Sequence, residues 1–183
     1  NGRAFYLEEF IEGKTVRQIN QQGGLTHAIR EKSVKTILAV SKTLHDLGEV
    51  EDMPKDIHTG NVMIRDRDGS AVMVDIGNNY VPVGQGVQNL VRFYGYFGEN
   101  KDKGSNEFIY QALLETYGRE DGLRYLQSNV DHIKAAMAYD QRTGREAGAT
   151  SPKKKQIREQ RDEPALREED SLQIVQEMED FIR

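Results

Sequence analysis

The sequence predicts an α+β chain, mainly helical, with one short β-hairpin. Three patterns carry this. Two aliphatic runs, Val62-Met63-Ile64 and Ala71-Val72-Met73-Val74, flank the polar stretch Arg65–Ser70. Apolar residues recur at helical spacing over 34–45, 108–117 and 123–137. From Gln141 onward the chain turns charge-rich. Alternating or short aliphatic runs bounded by turn residues read as strands, and stripes of period 3.6 read as helices facing a core.

In chain order, Phe5-Tyr6-Leu7-Glu8-Glu9-Phe10-Ile11-Glu12-Gly13-Lys14-Thr15-Val16 reads as a strand, a Gly turn and the start of a helix. Val34, Ile37, Leu38, Ser41, Leu44 and His45 form the next helical stripe, which Gly48 is placed to end. His45, a lone His beside an apolar stripe, reads as structural. The Asp68-Gly69 pair favours the positive backbone angles of a hairpin turn, and closing that hairpin returns Asp75 to the neighbourhood of Asn61. Residues 78–86, including Gly84-Gln85-Gly86, read as an extended loop, and Lys101–Ser105 as a surface turn.

Phe108, Ile109, Ala112, Leu113 and Tyr117 share a helical face before Gly118; Leu123, Leu126, Val130, Ile133 and Met137 make another. Arg142–Arg161, with Lys153-Lys154-Lys155, has the composition of a solvated linker or frayed helix. Leu172, Val175, Met178, Glu179 and Ile182 predict a terminal helix that begins near Asp170-Ser171 and docks on the preceding helices or on another chain. The organisation expected is residues 1–140 as the folded unit and 141–183 as a charged linker with a helical tail.

Composition sets the outer bounds. The chain has 183 residues, 37% of them hydrophobic, and a mean hydropathy of -0.72, enough for one core of moderate size plus a polar extension. A net charge of -5 gives no basic footprint for nucleic acid. The absence of Cys excludes disulfides, thiolate metal sites and a Cys nucleophile. No apolar run approaches the roughly 20 residues of a membrane span, and no signal-peptide core is present. A soluble cytoplasmic protein is expected.

The residues that carry chemistry are Asp56, His58, Asn61 and Asp75. Each alone is an ordinary Asx-turn or cap residue. As an ordered set with a hairpin between them, Asp56-Ile57-His58-Thr59-Gly60-Asn61 and Asp75-Ile76-Gly77 are another matter. Two carboxylates and an amide held together can orient an attacking hydroxyl and bind a cation that prefers oxygen ligands.

This order resembles the catalytic loop, hairpin and metal-binding loop of the protein-kinase-like superfamily, in the D-x-H-x-x-N form of its aminoglycoside- and small-molecule-kinase branch. The resemblance implies a mainly helical C-lobe and transfer of the γ-phosphoryl group of ATP to a hydroxyl acceptor, a small molecule or a protein. It implies Asp56 as the group that receives or orients the acceptor proton, His58 near the transferred phosphoryl group, and Asn61 and Asp75 as Mg2+ ligands. It further implies that the 5–16 segment enters the hinge, so that backbone groups of Glu8, Glu9, Phe10 and Ile11 meet the adenine edge. Leu44-His45-Asp46-Leu47-Gly48 is similar to the ending of the helix before the catalytic loop.

Departures from the pattern shape the expectation. Too few residues precede the hinge to build the family's N-lobe, with its phosphate-covering loop and nucleotide-contacting Lys. The chain starts at Asn1, so it reads as a fragment with weak ATP binding and little turnover by itself. Pro54 and Lys55 stand where His and Arg or Gly commonly precede the catalytic Asp, Ile76 replaces a Phe, and no Ala-Pro-Glu follows. A pseudokinase or kinase-fold interaction module without turnover is the alternative. A divalent-metal hydrolase ranks third, since His27, His45 and His132 have no ligand-like spacing to the motif.

Overall fold

Helices build most of the described residues, which also hold five short strands in two small sheets. The computed structural model describes residues 10–47, 52–54, 57–76, 80–95, 106–143 and 168–183. The elements run β1 (Gly13–Thr15), α1 (Val16–Gln21), α2 (His27–Asp46), β2 (Asp52–Pro54), β3 (Val62–Arg65), β4 (Ala71–Met73), β5 (Tyr80–Pro82), α3 (Val83–Gly95), α4 (Glu107–Tyr117), α5 (Arg119–Thr143) and α6 (Glu168–Ile182). The α+β class is as expected: β1-β3-β4 form one antiparallel sheet, and β2-β5 a second antiparallel pair.

The predicted stripes face the core. α2 buries Val34, Ile37 and Leu38. Two hydroxyls on the same face, Ser33 and Ser41, donate back to the carbonyls of Ile29 (2.7 Å) and Ile37 (2.8 Å), so their burial leaves no donor unmet. α4 buries Ile109, Ala112 and Leu113, and α5 buries Leu126, Val130 and Ile133. α5 is the central helix, with α3, α4 and α6 packed on it. Gly118 follows α4 directly and α5 starts one residue later.

Two local expectations are corrected. Among the described residues the first strand is Gly13–Thr15, where the sequence suggested a turn. A Cβ on Gly13 would lie 2.2 Å from the Ile64 carbonyl oxygen, so glycine is what lets β1 pair there. Gly84-Gln85-Gly86 is the first turn of α3 rather than loop; a Cβ on Gly86 would sit 2.6 Å from Met53 Sδ, and its absence lets the helix seat on β2. α5 itself ends at Thr143.

The terminal helix docks within the same molecule. Ile174, Val175 and Met178 join the common core, while Leu172, expected on the buried stripe, is 54% exposed. Lys134 Nζ donates to Glu179 (2.5 Å) and Asn106 Nδ2 to Glu177 (2.6 Å), tying α6 to α5 and to the N-terminal end of α4. No helix among the described residues is long and apolar enough to cross a membrane.

Candidate functional site

Two ladders clamp the motif. The β3–β4 hairpin pairs Val62 with Met73, Met63 with Val72 and Ile64 with Ala71. One step further, the Val74 N–H donates to the Asn61 carbonyl (2.8 Å). The other clamp pairs Met53 of β2 with Val81 of β5 and Pro54 with Tyr80. The chain entering β3 and the chain leaving β4 are therefore held at both ends.

The sequence suggested two buried strands, and burial is confined to one end. Val62 and Met73 are buried while the rest of the hairpin is half-buried or exposed. The anchored end is the one that carries Asn61 and Asp75.

Residues 58–61 form a tight turn, in which the Asn61 N–H donates to the His58 carbonyl (2.9 Å). The Gly60 N–H donates to His58 Nδ1 (3.0 Å). An Nδ1 that accepts has its ring proton on Nε2, which is then the donor presented by the neutral imidazole. Ile57 just before the turn, and Thr59 and Asn61 within it, are buried.

Helix α1 fixes the turn from outside. Thr15 caps it through a reciprocal pair: its Oγ1 accepts from the Gln18 N–H (3.1 Å), and the Gln18 side chain accepts from the Thr15 N–H (2.8 Å). The Arg17 N–H, in the first turn and without an intrahelical partner by position, donates to the Thr59 carbonyl (3.0 Å).

Asp75 is the one non-glycine with positive φ among the described residues, at 54°. Strict strand alternation would put Asn61 and Val74 on one face and Asp75 on the other. A left-handed residue at 75 breaks that alternation at the point where the chain leaves the hairpin. Asp tolerates this conformation better than most residues, and such outliers concentrate at functional sites. Asp75 is exposed and Asn61 is 7% exposed, so an amide and a carboxylate end adjacent chain segments.

The far end of the hairpin is a structural turn. Gly69 takes positive φ (66°), whereas Asp68 does not, and the Asp-Gly pair lies in a five-residue connection, 66–70, rather than a two-residue one. Asp68 accepts from the Ser70 N–H (2.8 Å), and these Ser70 hydrogen bonds hold its carboxyl below the ordinary range, with Arg67 assisting. Lys32 Nζ donates to the Gly69 carbonyl (2.6 Å), pinning the tip to α2.

Of the residues singled out in sequence, His58, Asn61 and Asp75 come together at the anchored end of the hairpin, whereas Asp56, Glu8 and Glu9 lie outside the described residues. Phe10 and Ile11 precede β1 without strand structure, and Phe10 is 89% exposed. His45 packs edge-on to Tyr117 (6.4 Å between rings) beside Asp46, a structural role as expected. His27 pairs with Glu31 on the surface of α2.

Arg17 was not legible in sequence as part of this region. Its position in a short polar helix carries no signal; in the structure its N–H bond to Thr59 brings it there. Among the described residues no group of three or more His, Cys, Asp or Glu is arranged to hold a metal by itself. No protein-family model matches the chain, and no curated protein matches it.

Proposed function

We propose that the chain is the catalytic-loop-bearing part of an ATP-dependent phosphotransferase of the protein-kinase-like type, a mainly helical C-lobe acting on a hydroxyl acceptor. The observation that carries this reading is the Val74 N–H to Asn61 carbonyl bond at the base of the hairpin, which joins the two halves of the motif. Such transfer needs positioning and charge stabilisation far more than covalent chemistry.

In this reading Asp56 accepts or orients the proton of the attacking hydroxyl. His58, fixed through Nδ1 by the Gly60 N–H, presents its Nε2–H toward the transferred group. The Asn61 side-chain oxygen and the Asp75 carboxylate are hard donors of the kind Mg2+ selects. Two protein oxygens with water and substrate phosphates completing the shell is a common magnesium arrangement. When bound, the ion neutralises charge on the phosphates. Backbone groups near Glu8–Ile11 receive the adenine edge.

The test is nucleotide and Mg2+ binding, with phosphoryl transfer from labelled ATP, in the full-length protein and its Asp56→Ala and Asp75→Ala variants. Asp75→Ala is expected to abolish metal-dependent nucleotide binding. Asp56→Ala is expected to keep binding and lose transfer. Unimpaired phosphorylation by both variants would overturn the assignment, and metal-dependent binding without transfer in the unsubstituted protein would favour a kinase-fold interaction module.

A further inference from the structure

α6 packs on α5 and α4, and these two keep other neighbours: α4 packs on α2, α5 on α3, and each on the other. Among its described side chains α6 buries three, Ile174, Val175 and Met178, over 15 residues, where α4 buries five over 11. Taking α6 away therefore leaves the rest of the helical packing in place.

By itself α6 is a poor helix. It carries Glu168, Glu169, Asp170, Glu177, Glu179 and Asp180 and no Lys or Arg. Glu177, Glu179 and Asp180 lie in its last two turns, where the negative pole of the helix dipole disfavours carboxylates. Arg183, just past the end, offsets part of this from 3.8 Å off Asp180. Helices of this length are marginal in water even when composition favours them. The donors that Glu177 and Glu179 meet come from Asn106 and Lys134, outside the helix, so α6 is helical because it is docked.

The seat carries a penalty of its own. Asn106 and Tyr110 stand one turn apart, and both meet α6, Asn106 through Glu177 and Tyr110 through the ring of Phe181 (5.4 Å between centroids). Tyr110 is 1% exposed, and its hydroxyl has no hydrogen-bond partner among the described residues. Burial, and then the charge of Glu177, push the phenol above its ordinary range. A buried hydroxyl without a protein partner carries a desolvation penalty that lapses once water reaches it.

We infer that α6 is a separable strap: it melts and leaves the α4–α5 surface as one cooperative unit, before the rest of the fold opens, and the unmet Tyr110 hydroxyl lowers the threshold for release. Release uncovers the Tyr110 side of α4 without opening the hairpin motif. This holds whatever chemistry that motif performs.

The test is native-state amide hydrogen exchange of the full chain at low urea concentrations. The amides of Val175 and Met178 in α6 are expected to be at least about tenfold less protected than those of Val130 and Ile133 in α5. They should share one opening with a weaker urea dependence, the sign of less surface exposed. Tyr110→Phe, which keeps the ring and removes the hydroxyl, is expected to slow α6 exchange about tenfold.

Equal protection and equal urea dependence in α6 and α5 overturn the inference, because α6 then opens only with the whole fold. Protection that declines residue by residue toward Ile182, with no shared opening, overturns it as fraying. So does a Tyr110→Phe variant in which α6 exchanges as fast as in the unsubstituted chain, or faster. Should Tyr110→Phe fail to fold, the comparison of α6 with α5 in the unsubstituted chain decides by itself.

Discussion

Asp75 shows how a single backbone angle links sequence chemistry to a site. Its left-handed φ costs an ordinary L-residue about 1 to 2 kcal/mol, a penalty that Asn and Asp largely escape. Asp75→Ala is therefore expected to lower unfolding free energy by roughly that amount, while Asp75→Asn stays close to the unsubstituted chain. Under the proposed phosphotransfer function both should lose metal-dependent nucleotide binding, so chemical denaturation beside a binding assay separates backbone strain from lost charge. Equal stability of the two variants would mean that the angle at 75 carries no strain. At Gly86 the relevant quantity is space: Gly86→Ala must push Met53 away and is expected to cost about 1 to 3 kcal/mol, read from a urea midpoint.

The hairpin is asymmetric as an element. Its base is buried through Val62 and Met73 and closed by the Val74–Asn61 bond, whereas its tip is held by polar contacts of Lys32, Asp68 and Ser70. Val62→Ala is expected to disturb the site more than Lys32→Ala, because the first opens a void beside Asn61 and the second frees only the tip. Amide exchange at Asn61 and Val74 measures this, and faster exchange there in Lys32→Ala than in Val62→Ala would refute it. The depressed Asp68 carboxyl gives the tip a pH dependence. Its contribution is full above the ordinary carboxylate value of 3.8 and disappears as pH falls through the lower folded value.

Across the whole molecule, α6 closes the core rather than trailing from it. Met178 is fully buried against helices far earlier in the chain, and Met178→Ala is expected to destabilise by about 2 to 5 kcal/mol, seen as a lower melting midpoint. Glu179 is held below its ordinary value of 4.5, first by its hydrogen bond to Lys134. A carboxyl depressed in the folded state adds stability above its unfolded pKa and loses it as pH falls through the folded one. The difference in melting midpoint between the unsubstituted chain and Lys134→Ala should therefore be present at neutral pH and vanish on acidification below the ordinary value. A difference that persists there would assign the effect to packing of the Lys134 stem.

The helices were readable because an apolar stripe repeated over three or more turns has few other uses: Val34 through Ser41, Ile109 through Tyr117 and Leu126 through Ile133 all face the core. The hairpin was readable because two aliphatic runs around Asp68-Gly69 strongly favour one local fold. β1 was not, since three residues beginning with Gly carry no period and pair only because a distant strand offers its edge. The start of α3 was hidden for a related reason: Gly84-Gln85-Gly86 resembles loop until Met53 is known to lie against it.

What the sequence by itself determined was which side chains stand at the motif and how far apart along the chain, because residue identity and hairpin length are local properties. Tertiary structure alone decided the reversed angle at Asp75, the bond from the Arg17 N–H to Thr59 and the docking of α6. Each depends on surfaces from distant segments meeting, and no local pattern encodes the shape of a partner that has not yet arrived.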